Sequence, residues 1–179
     1  GGASGCVTHL PEYKLNLQVA KKLQKELVNR GYKVIMVRTK NNVRMSNVQR
    51  AKVANKYKAD AFIRIHANSA GSSSVKGALT IAPASNNRYM TKANRKASQK
   101  LSKKVLKAMC KTTGAKNRGV MYTNSMTGIN WCKVPVTIVE MGFMSEPAAR
   151  NPSEDRKMAK ASYQKKIVKG IADGIDNFF

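Results

Sequence analysis

Acidic residues are scarce in this chain. Nine Asp and Glu stand against 34 Lys and Arg in 179 residues, a formal charge of +25 with a pI near 10.4. So basic a balance points to an anionic polymer as partner, whether nucleic acid, an acidic membrane surface or an anionic cell wall. Long apolar runs are lacking too: no stretch of 18 or more apolar residues occurs, which excludes a membrane-spanning helix. The first residues carry no signal-peptide pattern. Cysteine is limited to Cys6, Cys110 and Cys132, without CxxC spacing, so no cysteine zinc site is expected. A disulfide between two of them and three free, mostly buried thiols are both open. Aromatic residues make up only 6% and form no stripe interleaved with basic ones, and no groove-reading motif occurs. Specific nucleic-acid recognition is therefore not expected. Repeats and low-complexity linkers are absent, and a chain of 19.7 kDa that is 42% hydrophobic reads as one domain with a full core.

What is present converges on residues 134–144, VPVTIVEMGFM. β-branched residues and Pro lead to one carboxylate, Glu140, and then to Gly142, which permits a sharp turn. A continuous apolar run suits a strand covered on both faces by helices, with Glu140 near its carboxyl end. Ligands bind at that edge of open α/β sheets, so Glu140 is a candidate acid or base. A strand-end Glu that caps a helix or meets water is the plainer alternative. Residues 60–68, DAFIRIHAN, have the same form, and a small-residue loop, 69–74, follows them. Alternation places Phe62, Arg64 and His66 on one face, and Ala61, Ile63 and Ile65 on the other. His66 is one of only two histidines, and either a hydrogen-bonded structural residue or a ligand fits it.

In chain order, residues 1–11 are loop-like. Leu15, Val19, Leu23 and Leu27 recur at helical spacing over residues 12–30, which Gly31 ends. Glu12 lies in the first turn beside Pro11, where the helix dipole favours a carboxylate. Residues 32–39 read as a strand, and Ser46 to Gln49 has capping-box form, opening a helix to about residue 58. A short strand over 77–83 is placed at an edge because of Pro83. A long helix over about 89–112 follows, then an irregular rim loop over 118–129, and finally a helical region from Ser153 with acids in its first turn. Alternating strands and helices imply right-handed parallel crossovers. The expected fold is a three-layer α/β domain, with a mainly parallel sheet of five to six strands and helices on both faces.

The ordered set PEYKLNLQVAKKL, RTKNNV, SNVQRAKVANKYKADAFIRIHANSA and VPVTIVEMGFMS resembles the zinc-dependent N-acetylmuramoyl-L-alanine amidases of bacterial cell-wall turnover, sporulation and phage lysis. The resemblance covers nearly the whole chain. It implies zinc as cofactor, with Glu12 and His66 as ligands, and Glu140 as the catalytic carboxylate. Arg64 and Asn68, on the strand end that carries His66, are expected beside the substrate cleft. Peptidoglycan is the implied substrate, and the basic faces are expected to meet anionic wall polymers. A monomer that acts after secretion, at the cell wall or on delivery there by a phage, is expected. Two departures stand out. The family's opening strand and its Asp-x-Gly-His motif, which supplies the first zinc ligand, are not found in this sequence; His9 is a weak substitute. Residues Glu146 to Arg150 resemble a local insertion after the Gly-Phe-Met-Ser run. A catalytically impaired, wall-binding member of the family and a basic nucleic-acid-binding domain are the rival readings.

Overall fold

Residues 2–70, 75–145 and 153–179 are described by the computed structural model of the protein. Pro11, extended at φ −66° and ψ 140°, stands immediately before helix α1 (Glu12–Asn29), which buries Leu15, Val19, Leu23 and Leu27 along one stripe. In α2 (Asn47–Lys56) the expected capping box forms. The Ser46 hydroxyl accepts from the Gln49 amide, and the Gln49 side chain accepts from the Ser46 amide.

Strands β1 (Phe62–Asn68), β2 (Ala78–Pro83), β3 (Asn117–Thr123) and β4 (Val136–Phe143) form one sheet in the order β1-β4-β2-β3. β1 runs parallel to β4 and β2 parallel to β3, while β2 and β4 are antiparallel. The larger core lies between the sheet and α1, α3 (Lys92–Thr113) and α6 (Ala161–Asp176). It includes Leu15, Leu101, Val139, Met141 and Ile171. The smaller core, with Ala51, Phe62, Ile129, Val136 and Ile138, lies under α2 and the short α4 (Thr127–Asn130). The architecture is the expected three-layer α/β arrangement.

Several elements differ from expectation. The described sheet has four strands, fewer than the five to six expected. Residues 32–38 are half-buried in places but, among the described residues, pair in no ladder. β2 lies inside the sheet between β4 and β3. Pro83 is its last paired residue, where a missing N–H interrupts no further ladder bond. Part of the expected rim loop is strand β3. Its start was obscured by Gly119, at φ 85°, whose amide bonds the Asn117 side chain. Gly142 lies within β4 at the register irregularity between the His66–Glu140 and Asn68–Phe143 pairs, in place of a sharp turn. The C-terminal region is two helices, α5 (Glu154–Ala159) and α6, separated at Lys160 by an extended ψ of 131°. Cys110 and Cys132 are free thiols; burial pushes them up to about 11 and about 12. The insertion expected at Glu146 to Arg150 lies outside the described residues.

Helices α3 and α6 approach closely because α6 presents Gly170 and Gly174 to α3. A Cβ on Gly174 would collide with the Val105 backbone, and one on Gly170 with the Met109 backbone. Backbone cannot yield as a flexible side chain can. Gly174→Val should therefore destabilise the fold by about 1–3 kcal/mol or more through overpacking, seen as a lower urea midpoint. An unchanged midpoint would mean that the two helices separate at little cost.

Candidate active site

The parallel pairing of β1 and β4 sets His66 opposite Glu140, and Arg64 opposite Ile138. Side chains of paired residues share a face, so His66, Glu140 and Arg64 all lie on the α2 side. Glu12 comes from elsewhere, at the start of α1. It is separated from His66 by 54 residues, yet its Oε1 lies 3.0 Å from His66 Nδ1. Three more donors hold the Glu12 carboxylate. Asn16 Nδ2 reaches Oε1 at 3.0 Å, the Ala3 amide reaches Oε2 at 3.2 Å, and the Ala67 amide approaches Oε1 at 3.4 Å.

These contacts divide the two carboxylates. Burial alone would raise the Glu12 pKa, but hydrogen bonds from His66 and Asn16, the charge of His66 and the Ala3 amide outweigh it and bring the group down to about 2. Glu12 is therefore a fixed anion. Burial dominates at Glu140 and, with the Glu12 charge adding, raises it to about 7 against the opposing charges of His66 and Arg64. Glu140 Oε2 is buried and, among the described residues, has no hydrogen-bond partner. A carboxyl group that titrates near neutrality, with one oxygen unpartnered, suits proton transfer.

The remaining expected residues occupy different positions. Arg64 is only 8% exposed. Its Nη2 donates to Asn47 Oδ1 at 2.7 Å, and its guanidinium fills the space left by Gly128, where a Cβ would collide with it. Burial lowers its pKa. Asn68 ends β1 at intermediate exposure; its side chain accepts from the Ser69 amide at 2.8 Å, and its carbonyl from the Met144 amide at 2.8 Å. His9 is exposed in a turn, with φ 54°. Among the described residues no group of three His, Cys, Asp or Glu is placed to hold a metal, so His9 does not join Glu12 and His66. Sequence reasoning missed Asn16, which braces Glu12 one helical turn on. The signal was its i,i+4 spacing from Glu12. Asn47 and Gly128, the partners of Arg64, left no local signal.

A carboxylate and an imidazole 3.0 Å apart fit a borderline cation such as zinc, which takes both at roughly 2.0–2.2 Å. The chain thus presents a hydrolase-like constellation on a three-layer α/β fold: a donor pair for an ion beside a carboxyl group of raised pKa. A family profile described as N-acetylmuramoyl-L-alanine amidase matches residues 1–177, and the chain belongs to that family. LytC of Bacillus subtilis (strain 168), an N-acetylmuramoyl-L-alanine amidase, is 29% identical over 170 residues, covering 95% of this chain and 32% of LytC. The chain therefore spans about a third of that relative. The germination-specific N-acetylmuramoyl-L-alanine amidase of the same organism is 29% identical over 196 residues, covering all of this chain and 74% of that protein. Among solved structures, the catalytic domain of the amidase CwlV from Bacillus (Paenibacillus) polymyxa var. colistinus superposes with a TM-score of 0.83. It is 28% identical, with 99% of this chain and 89% of that one covered. An N-acetylmuramoyl-L-alanine amidase from Clostridium difficile 630 gives a TM-score of 0.85 at 25% identity, covering 99% of this chain and 88% of its own.

The raised pKa of Glu140 has a stability signature. Its folded value lies above the ordinary 4.5, so its contribution is fully present below pH 4.5 and is lost as pH rises through about 7. In the metal-free protein Glu140→Gln should thus be more stable than the parent at pH 8, by about 1–3 kcal/mol. The difference should vanish below pH 4.5. Denaturant titrations of both proteins at several pH values check this; a gap that does not change with pH would contradict it.

Proposed function

We propose that the chain is the catalytic domain of a zinc-dependent hydrolase that cleaves the amide between N-acetylmuramic acid and L-alanine in peptidoglycan. Membership of the amidase family supports the reaction, and the observation that carries the assignment of roles is the buried, unpartnered Oε2 of Glu140 beside the Glu12–His66 pair. In this reading Glu12 and His66 hold the ion. A bound zinc supplies Lewis acidity at the scissile carbonyl and lowers the pKa of water toward about 7. Glu140 takes the proton of the attacking water and passes it to the leaving nitrogen of the alanine. A carboxyl group with a pKa of about 7 is matched to both halves of that task.

Arg64, sealed beneath the site, contributes positive potential to the floor of the cleft, and Asn68 lies at its rim. The resemblance further implies an opening strand and a first His that complete the ligand set, because catalytic zinc sites normally use three protein ligands. The wall is the proposed place of action, reached by secretion or by phage delivery, and the basic helix faces concentrate the protein on anionic polymers there.

Glu140→Gln, in protein extended at its N-terminus and loaded with zinc, should lose about 10²–10⁴ in turnover of muropeptides while zinc content stays unchanged. His66→Ala should lose the metal as well. Retained turnover in Glu140→Gln, or zinc lost together with activity, would show that its role is misassigned. Binding to intact walls should weaken with salt, and more steeply than binding to walls stripped of teichoic acid. Equal salt dependence in a sedimentation assay would remove the electrostatic role.

A further inference from the structure

Helix α3 is the longest among the described residues, and its charge is all of one sign. Its 22 residues carry eight Lys and Arg and no Asp or Glu. Elsewhere basic residues find acids: Arg30, the C-cap of α1, pairs with Glu26, Asp173 and Asp176, and Lys169 of α6 pairs with Asp173. On α3, Lys100 donates to the Phe178 carbonyl at 2.8 Å. Lys92, Lys96, Lys103, Lys107 and Lys111 are exposed and form no ion pair or hydrogen bond with a described residue.

These lysines form a stripe. At 3.6 residues per turn, positions 92, 96, 100, 103, 107 and 111 fall within about 100° of arc, opposite the side that buries Ser98, Leu101, Val105 and Met109. The stripe is about 28 Å long at 1.5 Å per residue. Neighbours one turn apart, such as Lys92 and Lys96 or Lys103 and Lys107, repel each other and oppose the helix. The helix stands because its opposite side is packed and its ends are capped. The Thr91 hydroxyl accepts from the Asn94 amide, and Gly114 closes the last turn at φ 71°. A row of cations that works against its own helix points to an external anion lying along it.

The row leads toward Glu140. Gly114 ends α3, and β3 starts at Asn117, which pairs with Ala78, while the next residue of β2, Leu79, pairs with Glu140. The Lys111 end of the row therefore lies at the end of the sheet that carries Glu140. Lys116, Arg118 and Lys76, all exposed, continue the positive charge across that edge, and Arg118 lies over the Phe143 ring at 5.5 Å. The chemistry of the row narrows its partner. Lysines are compact, hydrated point charges suited to phosphate, and no Arg stands in the stripe to stack or to fork a planar group. None of the exposed large apolar side chains among the described residues lies on α3. Nucleic-acid bases would find nothing there to stack on, and a bilayer nothing to take up.

We propose that the outer face of α3 is a docking track for a linear phosphodiester polymer of the cell wall, which lies along the helix from Lys92 to Lys111 and continues over Lys116 and Arg118 to the edge that carries Glu140. Such a chain alternates phosphates with neutral, flexible spacers, so it can set its charges against a row of flexible lysines without base or lipid contacts. Held along its length, the polymer keeps the wall that bears it beside the candidate site. This deepens the electrostatic role proposed above by giving it one helix face, and it rests on that reading only for the source of the polymer.

The test measures binding of the protein to a synthetic poly(glycerol phosphate) chain as a function of salt. Lys96→Gln, Lys103→Gln and Lys107→Gln combined should lower the slope of log K against log salt by about 2, at roughly 0.7 per phosphate contact, and weaken binding about tenfold or more at low salt. The urea midpoint should stay or rise, because like charges are removed from one another, which separates lost binding from lost folding. A control of equal charge on α1 and α6, Lys21→Gln, Lys25→Gln and Lys165→Gln combined, should leave the slope nearly unchanged. Lys116→Gln with Arg118→Gln should lower it by about 1. A control loss half as large as that of the α3 variant, or larger, would overturn the track; an unchanged slope in the Lys116 and Arg118 variant would overturn its continuation to the Glu140 edge. Tighter binding of an oligothymidylate with the same number of phosphates, or of phosphatidylglycerol vesicles at equal phosphate, would assign the face to nucleic acid or to membrane instead. If intact and stripped walls bind alike while the polymer still needs α3, only the wall reading fails. If the walls differ while both triple variants weaken alike, only the track fails. Muropeptide cleavage enters neither measurement.

Discussion

The hydrogen-bond register between β1 and β4 is the constraint on which the site depends. It sets His66 against Glu140, and a slip of one residue would turn one of them to the opposite face. Apolar residues on both sides hold the register. Val136 and Ile138 are packed in the smaller core and Val139 and Met141 in the larger, so either face would lose burial if the strand moved. Burial of such side chains contributes about 1.5–3 kcal/mol each. The chemistry is thus placed by the same apolar packing that stabilises the sheet. Glu12 then closes the constellation from a helix start, held by Asn16 and by the Ala3 amide at the level of the strand ends.

In a chain so basic, carboxylates are used sparingly and mostly for a definite contact. Glu26, Asp173 and Asp176 converge on Arg30, tying the end of α1 to the end of α6. Glu154 accepts from the Gly77 and Phe143 amides, and Asp155 from those of Val7, Thr8 and Arg156. Lys169 pairs with Asp173, but with 34 basic residues against nine acidic ones most of the positive charge is left over for an external polyanion.

Much of this was legible in the sequence. The 3.6-residue spacing of Leu15, Val19, Leu23 and Leu27, the Ser46–Gln49 capping box and the apolar runs before His66 and Glu140 each dictate local structure, and each forms as read. Motif order drew Glu12 and His66 to one place, which no local signal does. Other features depended on tertiary partners and were not legible. β3 is exposed along most of its length and lacks the apolar alternation that marks a strand; pairing with β2 alone makes it one. Residues 32–38 have the alternation but, among the described residues, pair with no neighbour, so propensity named a strand without a ladder. For Arg64, alternation gives the face and not the depth. Gly128 and Asn47, distant in sequence, decide that depth.

The two acids that open α5 reinforce a junction at which the Cys6 amide already bonds the Met144 carbonyl. Glu154 grips the amides at the entry to β2 and near the end of β4, while Asp155 grips the loop that leads into Glu12. A single helical turn therefore connects the backbone behind Glu140 with the backbone behind Glu12. Loosening α5 would therefore disturb the backbone on both sides of the site at once. The geometry around Glu12 and Glu140 is thus tied to the same few backbone bonds that anchor the start of α5.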